Sequence, residues 1–221
     1  MENGRFRDRA EAGRLLAELL RDYAGGDDGL VLALPRGGVP VGYEVAKALG
    51  VPLDVFVVRK LGVPGHEEFA MGAIASGGLA VLNRDAIQQL RIGEAEVPRA
   101  IAAEMRELQR REAAYRGDRD PPELEGKTVI LVDDGLATGS TMRAAALAVR
   151  QRNPARIVVA VPVAAAETCD EFRDVVDEVI CGAMPRPFQA VGLWYEDFSQ
   201  TSDEEVRELL ERAAERAGAR R

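Results

Sequence analysis

The chain has 221 residues, 47% of them hydrophobic, enough to bury a full core in one large α/β domain (1–221) without disulfide or metal staples. Its 37 acidic against 29 basic residues leave a formal charge of −8, which argues against a nucleic-acid surface, because neutralising phosphates needs a basic patch. No run approaches the roughly 20 apolar residues of a membrane span, and the first residues hold no apolar stretch between their charges, so a cytoplasmic protein is expected.

From Arg7 to about Tyr23, Ala12, Leu15, Leu16, Leu19 and Leu20 recur at helical spacing with charges between them, which predicts a packing helix. Glycines and aspartates at 25–29 end it, and residues 30–34, too short for a helix and bounded by turn residues, read as a first buried strand. Pro35-Arg36-Gly37-Gly38-Val39-Pro40 follows, then a helix over about 41–49. The glycines expose backbone N–H groups and Arg36 offers a bidentate fork for phosphate oxygens, so this loop reads as a phosphate site rather than an ordinary turn.

Residues 54–60 read as the next strand, delivering Arg59 and Lys60 at its carboxyl end, where open α/β sheets bind ligands. A turn-rich excursion over 61–69 contains His66, the single histidine, which reads either as solvated or as an anion donor. Residues 70–75 and 79–83 then form a hairpin around Ser76-Gly77-Gly78. Between Arg84 and Arg119 the pattern is helical. Val97, Ile101, Met105 and Leu108 mark one long amphipathic helix, and Arg106, Arg110 and Arg111 read as its solvated face.

Everything is arranged around Val129-Ile130-Leu131-Val132-Asp133-Asp134-Gly135-Leu136-Ala137-Thr138-Gly139-Ser140-Thr141. Four apolar residues predict a buried parallel strand, two carboxylates sit at its carboxyl end, and a Gly/Thr/Ser turn opens a helix over about 142–150. The first helical turn has unpartnered N–H groups that suit a phosphate, and Thr138, Ser140 and Thr141 add hydroxyls. The carboxylates cannot face that phosphate without repulsion, so they should meet a ligand's hydroxyls or a metal held beside it. A sugar phosphate satisfies both demands. The glycine spacing fits neither a Walker loop nor a Gly-x-Gly-x-x-Gly dinucleotide fingerprint.

The stretch over 129–141 resembles the 5-phosphoribosyl-1-pyrophosphate (PRPP) motif of type I phosphoribosyltransferases. The resemblance spans about 5–210. It implies an α/β fold with a mainly parallel sheet flanked by helices and a small hood from the carboxyl-terminal region, about 183–200. It also implies transfer of ribose 5-phosphate from PRPP to a nitrogenous base, with release of pyrophosphate and Mg2+ bound with PRPP. On that reading Asp133, Asp134, Arg36 and Lys60 are catalytic, and Ala137, Thr138, Gly139, Ser140 and Thr141 hold the 5′-phosphate. Arg36, Gly37, Gly38, Arg59, Lys60 and His66 hold the pyrophosphate, often in the family over a non-proline cis or strained peptide. The region around 61–69 corresponds to a mobile loop that closes over the site. No further metal cluster is implied, and a homodimer is allowed.

Residues 156–163 and 177–182 read as two more strands separated by a helix over about 164–175, an alternation that builds a parallel sheet. Residues 185–198 break it and concentrate aromatics, which suits stacking on a flat ring. By resemblance Phe188, Trp194, Glu196 and Asp197 bind the base; packing of a lid onto the core is an equal alternative for Trp194 and the plainer reading for Phe198. The strand 159–163 lacks the lysine that oxopurine enzymes place against the exocyclic oxygen, which leaves the base open. Cys169 and Cys181 make neither a disulfide framework nor a zinc site, and reduced structural thiols are expected. Ser202 with Glu205 caps a last helix through about 213, before a fraying Arg-rich tail. The alternative function is a non-catalytic PRPP-binding regulator; a sugar-phosphate hydrolase lacks an evident nucleophile with its base.

Overall fold

The computed structural model describes residues 4–63, 66–93, 95–117 and 119–219, and the side chains of 66–69 lie outside that description. The expected role of His66 therefore rests on a side chain outside that description, and the loop near 61–69 expected to close over the site includes residues 64 and 65, which lie outside it. The chain runs α1 (Arg9–Leu19), β1 (Gly29–Ala33), α2 (Gly38–Leu49), β2 (Leu53–Val55), β3 (Val58–Val63), β4 (His66–Ala75), β5 (Leu79–Leu82) and α3 (Arg84–Gln89). It continues through α4 (Glu96–Arg116), β6 (Thr128–Val132), α5 (Ser140–Arg150), β7 (Arg156–Val163), α6 (Ala166–Phe172), β8 (Glu178–Ala183) and α7 (Asp203–Gly218).

Apolar runs in β1, β6 and β7, buried on both faces, put these strands at the centre of a parallel sheet of order β2-β1-β6-β7-β8. Alternate residues serve opposite faces. Val31, Ile130, Val132 and Val158 pack with α1, α2 and α7 through Leu16, Leu20, Val45, Val206 and Leu210. Leu32, Val129, Leu131 and Val159 pack with α5 and α6 through Met142, Val149 and Phe172. The fold is the mainly parallel, helix-flanked α/β architecture expected. Among the described residues no helix is long and apolar enough to cross a membrane.

Four expectations need correction. The strand expected over 54–60 is two strands: β2 ends at Val55, and β3 leaves the parallel sheet to join the antiparallel sheet β3-β4-β5. Ser76 makes the switch, accepting from Val57 N–H through Oγ at 2.8 Å and donating its own N–H to the Val57 carbonyl at 2.9 Å. The turn-rich excursion over 61–69 is largely strand, its glycine at 62 absorbed in a register irregularity of the β3–β4 ladder. The last helix continues to Gly218, with Val206 and Leu210 buried and three acidic residues in its first turn. Finally, Cys169 and Cys181 are joined as a disulfide and not reduced: α6 and β8 lie side by side, a proximity that a spacing of 12 residues does not reveal.

Arg110 and Arg111 pair with Glu107 on the outer face of α4, the solvated basic face anticipated. Arg116, at the end of the same helix, is instead buried against Asp54 and the Val55 carbonyl, tying α4 to β2.

Candidate functional site

The carboxyl end of β6 carries Asp133 and Asp134 into a corner built by four segments. Asp133 turns back on its own chain, Oδ1 accepting from the Asp134 N–H at 2.8 Å. Asp134 forms an ion pair with Arg9 of α1, Nε to Oδ2 2.8 Å, both side chains at least 85% buried. Burial and the charge of Asp134 push the Asp133 carboxyl well above the usual range; burial also raises Asp134, against the pull of Arg9. Arg9 donates to the Ser199 carbonyl at 2.7 Å and lies 4.0 Å from the centre of the Phe198 ring, and Tyr195 donates to the Asp134 carbonyl at 2.6 Å.

The Arg36-Gly37-Gly38 loop lies directly on this corner, entered through a cis Pro35-Arg36 peptide. A Cβ on Gly37 would sit 2.0 Å from Asp134 Oδ2 and 3.2 Å from Arg9 Nε, and one on Gly38 2.7 Å from the Val132 carbonyl. The paired glycines are thus a requirement of close approach. Gly37→Ala is expected to cost roughly 1–3 kcal/mol by prising apart the Arg9–Asp134 pair. Denaturant unfolding checks this, and an unchanged midpoint would show that the corner has slack.

The turn after the acidic pair places Ala137, Thr138, Ser140 and Thr141 in the open, with Gly139 buried beneath them. Gly139 has φ 68°, and a Cβ there would meet the Phe172 ring at 2.6 Å. Thr168 of α6 braces the turn from below, donating through Oγ1 to the Ala137 carbonyl at 2.6 Å. Above it start the N–H groups of the first turn of α5, where an anion would be met by backbone donors and the Thr138, Ser140 and Thr141 hydroxyls.

The expected pyrophosphate residues have separate partners. Gly37 and Gly38 touch the acidic pair. The Arg36 guanidinium lies 3.9 Å from Asp203, the first residue of α7, which also accepts from the Tyr115 hydroxyl at 2.8 Å. Arg59 is bonded to Glu104 of α4 at 2.6 Å, and Lys60, its neighbour on β3, is exposed on the other face of that strand.

In the carboxyl-terminal loop, Phe188 and Trp194 are partly buried with Phe6, Ala12, Leu15 and Tyr195. Backbone bonds from Phe6 to the Trp194 carbonyl and from Glu196 to the Phe6 carbonyl, each 2.8 Å, stitch this loop to the amino-terminal segment. The Glu196 side chain is exposed, and Asp197 accepts from Ser199 N–H at 2.9 Å, which holds its carboxyl below the usual range. Val191 roofs Gly135: a Cβ there would lie 2.4 Å from Val191 Cγ1. The hood loop therefore borders the acidic corner, with part of its aromatic surface spent on packing.

Sequence reasoning missed Arg9, Tyr195 and Thr168. Arg9 pairs across 125 positions from within a helix whose charges all look solvated, so no local pattern marks it. Among the described residues no group of three or more His, Cys, Asp or Glu side chains is placed to hold a metal.

A Gly/Thr/Ser turn, an acidic pair at the end of a central parallel strand and a glycine loop packed on that pair thus meet at the carboxyl end of β6. Residues 7–193 match the phosphoribosyl transferase domain family, and the chain belongs to it. It is 46% identical over 208 residues to the Mycobacterium tuberculosis protein named "Putative phosphoribosyl transferase Rv0571c", covering 94% of this chain and 47% of that protein. The chain thus spans about half the length of the curated relatives it matches. The crystal structure of TT1426 from Thermus thermophilus is 45% identical with TM-score 0.82, covering 93% of this chain and 97% of that one. A hypothetical protein from Neisseria gonorrhoeae with bound ppGpp shares the fold at 13% identity and TM-score 0.50, covering 98% of each chain.

Proposed function

We propose that the protein transfers ribose 5-phosphate from PRPP to a nitrogenous base and releases pyrophosphate. The observation that supports this best is the single corner in which the acidic pair, the phosphate-type turn and the Gly37-Gly38 backbone meet. The C1′–oxygen bond to pyrophosphate breaks as the C1′–nitrogen bond forms, through an oxocarbenium-like sugar, so catalysis is positioning and charge stabilisation. Asp133 and Asp134 hold the ribose hydroxyls and favour the positive charge. Ala137 to Thr141 hold the 5′-phosphate, while Arg36, Gly37 and Gly38 receive the leaving pyrophosphate.

Mg2+ bound with PRPP fits this corner by ligand chemistry: it needs only one or two protein carboxylates, which Asp133 and Asp134 would supply. When bound it neutralises pyrophosphate charge. The base is met by the hood loop, through Phe188 or Trp194 as a ring surface and Glu196 or Asp197 as acceptors.

A second reading, a PRPP-binding regulator without turnover, draws on two pairs: Arg9 occupies Asp134 and Glu104 occupies Arg59. Both readings require the phosphate turn. Thr138→Ala with Thr141→Ala is expected to weaken PRPP binding by roughly 1–3 kcal/mol through lost bonds to a charged group, with little change in melting temperature, since both side chains are exposed. Calorimetry giving equal PRPP affinity would place the phosphate elsewhere.

A further inference from the structure

Among the described residues, a cavity of about 530 Å³ that shares no lining residue with the acidic corner is a cleft between the carboxyl-terminal halves of α2 and α7. Much of its lining is apolar, with Ala46, Val51, Pro52, Ala213 and Ala217. Cations line it too. Lys47 Nζ and the Arg216 guanidinium both line the cleft and lie 6.0 and 5.9 Å from the centre of the Tyr43 ring, and a third cation, Arg212, lies 4.9 Å from the same ring. In a chain of net charge −8 this is an unusual gathering. Lys47 has Glu44 at 3.2 Å, but among the described residues no carboxylate lies within ion-pair distance of Arg212 or Arg216. Asp27 is the one acidic residue in the lining. Tyr43 Oη is buried and makes no hydrogen bond among the described residues.

We propose that this cleft binds a small molecule made of an apolar, ring-sized body and a phosphate monoester, the body against the alanine and proline wall and the dianion between Lys47 and Arg216. Concave volume, an apolar wall and a few placed charges are what such ligands require. Lys47 and Arg216 line the cleft together, so a dianion placed between them meets both charges. The cleft shares no lining residue with the acidic corner. Both of its helices nevertheless begin beside Arg36: α2 starts at Gly38, and Asp203, the first residue of α7, faces the Arg36 guanidinium.

The test is calorimetric titration with 1-naphthyl phosphate. Wild type and the Thr138→Ala/Thr141→Ala variant are expected to bind it equally, because the phosphate turn is not involved. Lys47→Gln with Arg216→Gln keeps most of the apolar stems and should weaken binding by about tenfold or more; Ala217→Phe, which fills the cleft without touching its charge, should do the same. In the Thr138→Ala/Thr141→Ala background, where the acidic corner no longer competes, ribose 5-phosphate, lacking the apolar body, should bind at least about tenfold more weakly than the naphthyl ester. The proposal is overturned if wild type does not bind the naphthyl ester, if either cleft variant binds it as wild type while melting normally, if the phosphate-turn variant alone loses it, or if the two phosphates bind the phosphate-turn variant equally. Failure here leaves PRPP binding at the acidic corner untouched, which separates the two readings.

Discussion

Replacing Asp133 and Asp134 together by asparagine is expected to lower turnover by about 10²-fold or more, because in the proposed reaction the pair favours the positive charge that develops on the sugar and asparagine keeps shape without charge. The single variants should separate function from stability. Asp133 has its carboxyl raised by burial and by its neighbour. A folded pKa above the unfolded one means that ionising Asp133 costs stability, a cost absent below the unfolded value near 4 and growing as pH rises toward the folded value. Asp133→Asn should therefore melt at or above the wild-type temperature at pH 7, with the difference closing as the pH falls toward about 4. A folded double variant with unchanged turnover would reject the assigned role.

Arg9→Met carries the second large effect. Asp134 would then sit buried with no cation beside it, and removing one partner of a buried pair typically costs about 3–5 kcal/mol. Arg9 also bonds Ser199 and stacks on Phe198, so its loss should loosen the hood loop along with the acidic corner. In urea unfolding Arg9→Met should be the less stable protein, and adding Asp134→Asn should recover part of the loss, since the neutral amide no longer needs a counter-charge. Additive losses in the double variant would mean that Arg9 acts through packing alone.

The parallel sheet and its acidic corner were legible because both are written locally. Residues 129–141 contain the strand, the carboxylates and the phosphate turn in one uninterrupted stretch, and the apolar run of β7 declares itself in the same way. The contacts that were not legible are tertiary. The run 54–60 looks like one strand because nothing in its own residues marks the switch that Ser76 makes between two sheets. Arg9 and Asp134 lie at opposite ends of the pattern, and the disulfide depends on α6 packing beside β8. Phe188 and Trp194 show the same limit: aromatic content marks a loop of consequence, but how much of each ring faces a neighbour depends on where Phe6 and Ala12 come to rest.

The central claim is base-dependent transfer from PRPP, and the most direct measurement is pyrophosphate release. The protein is incubated with PRPP, Mg2+ and, one at a time, purines, pyrimidines and nicotinate. Release that requires one particular base, together with appearance of the corresponding ribonucleotide, is the predicted result. Tight PRPP binding with no base-dependent release from any member of the panel would contradict it and leave the regulator as the reading of this site.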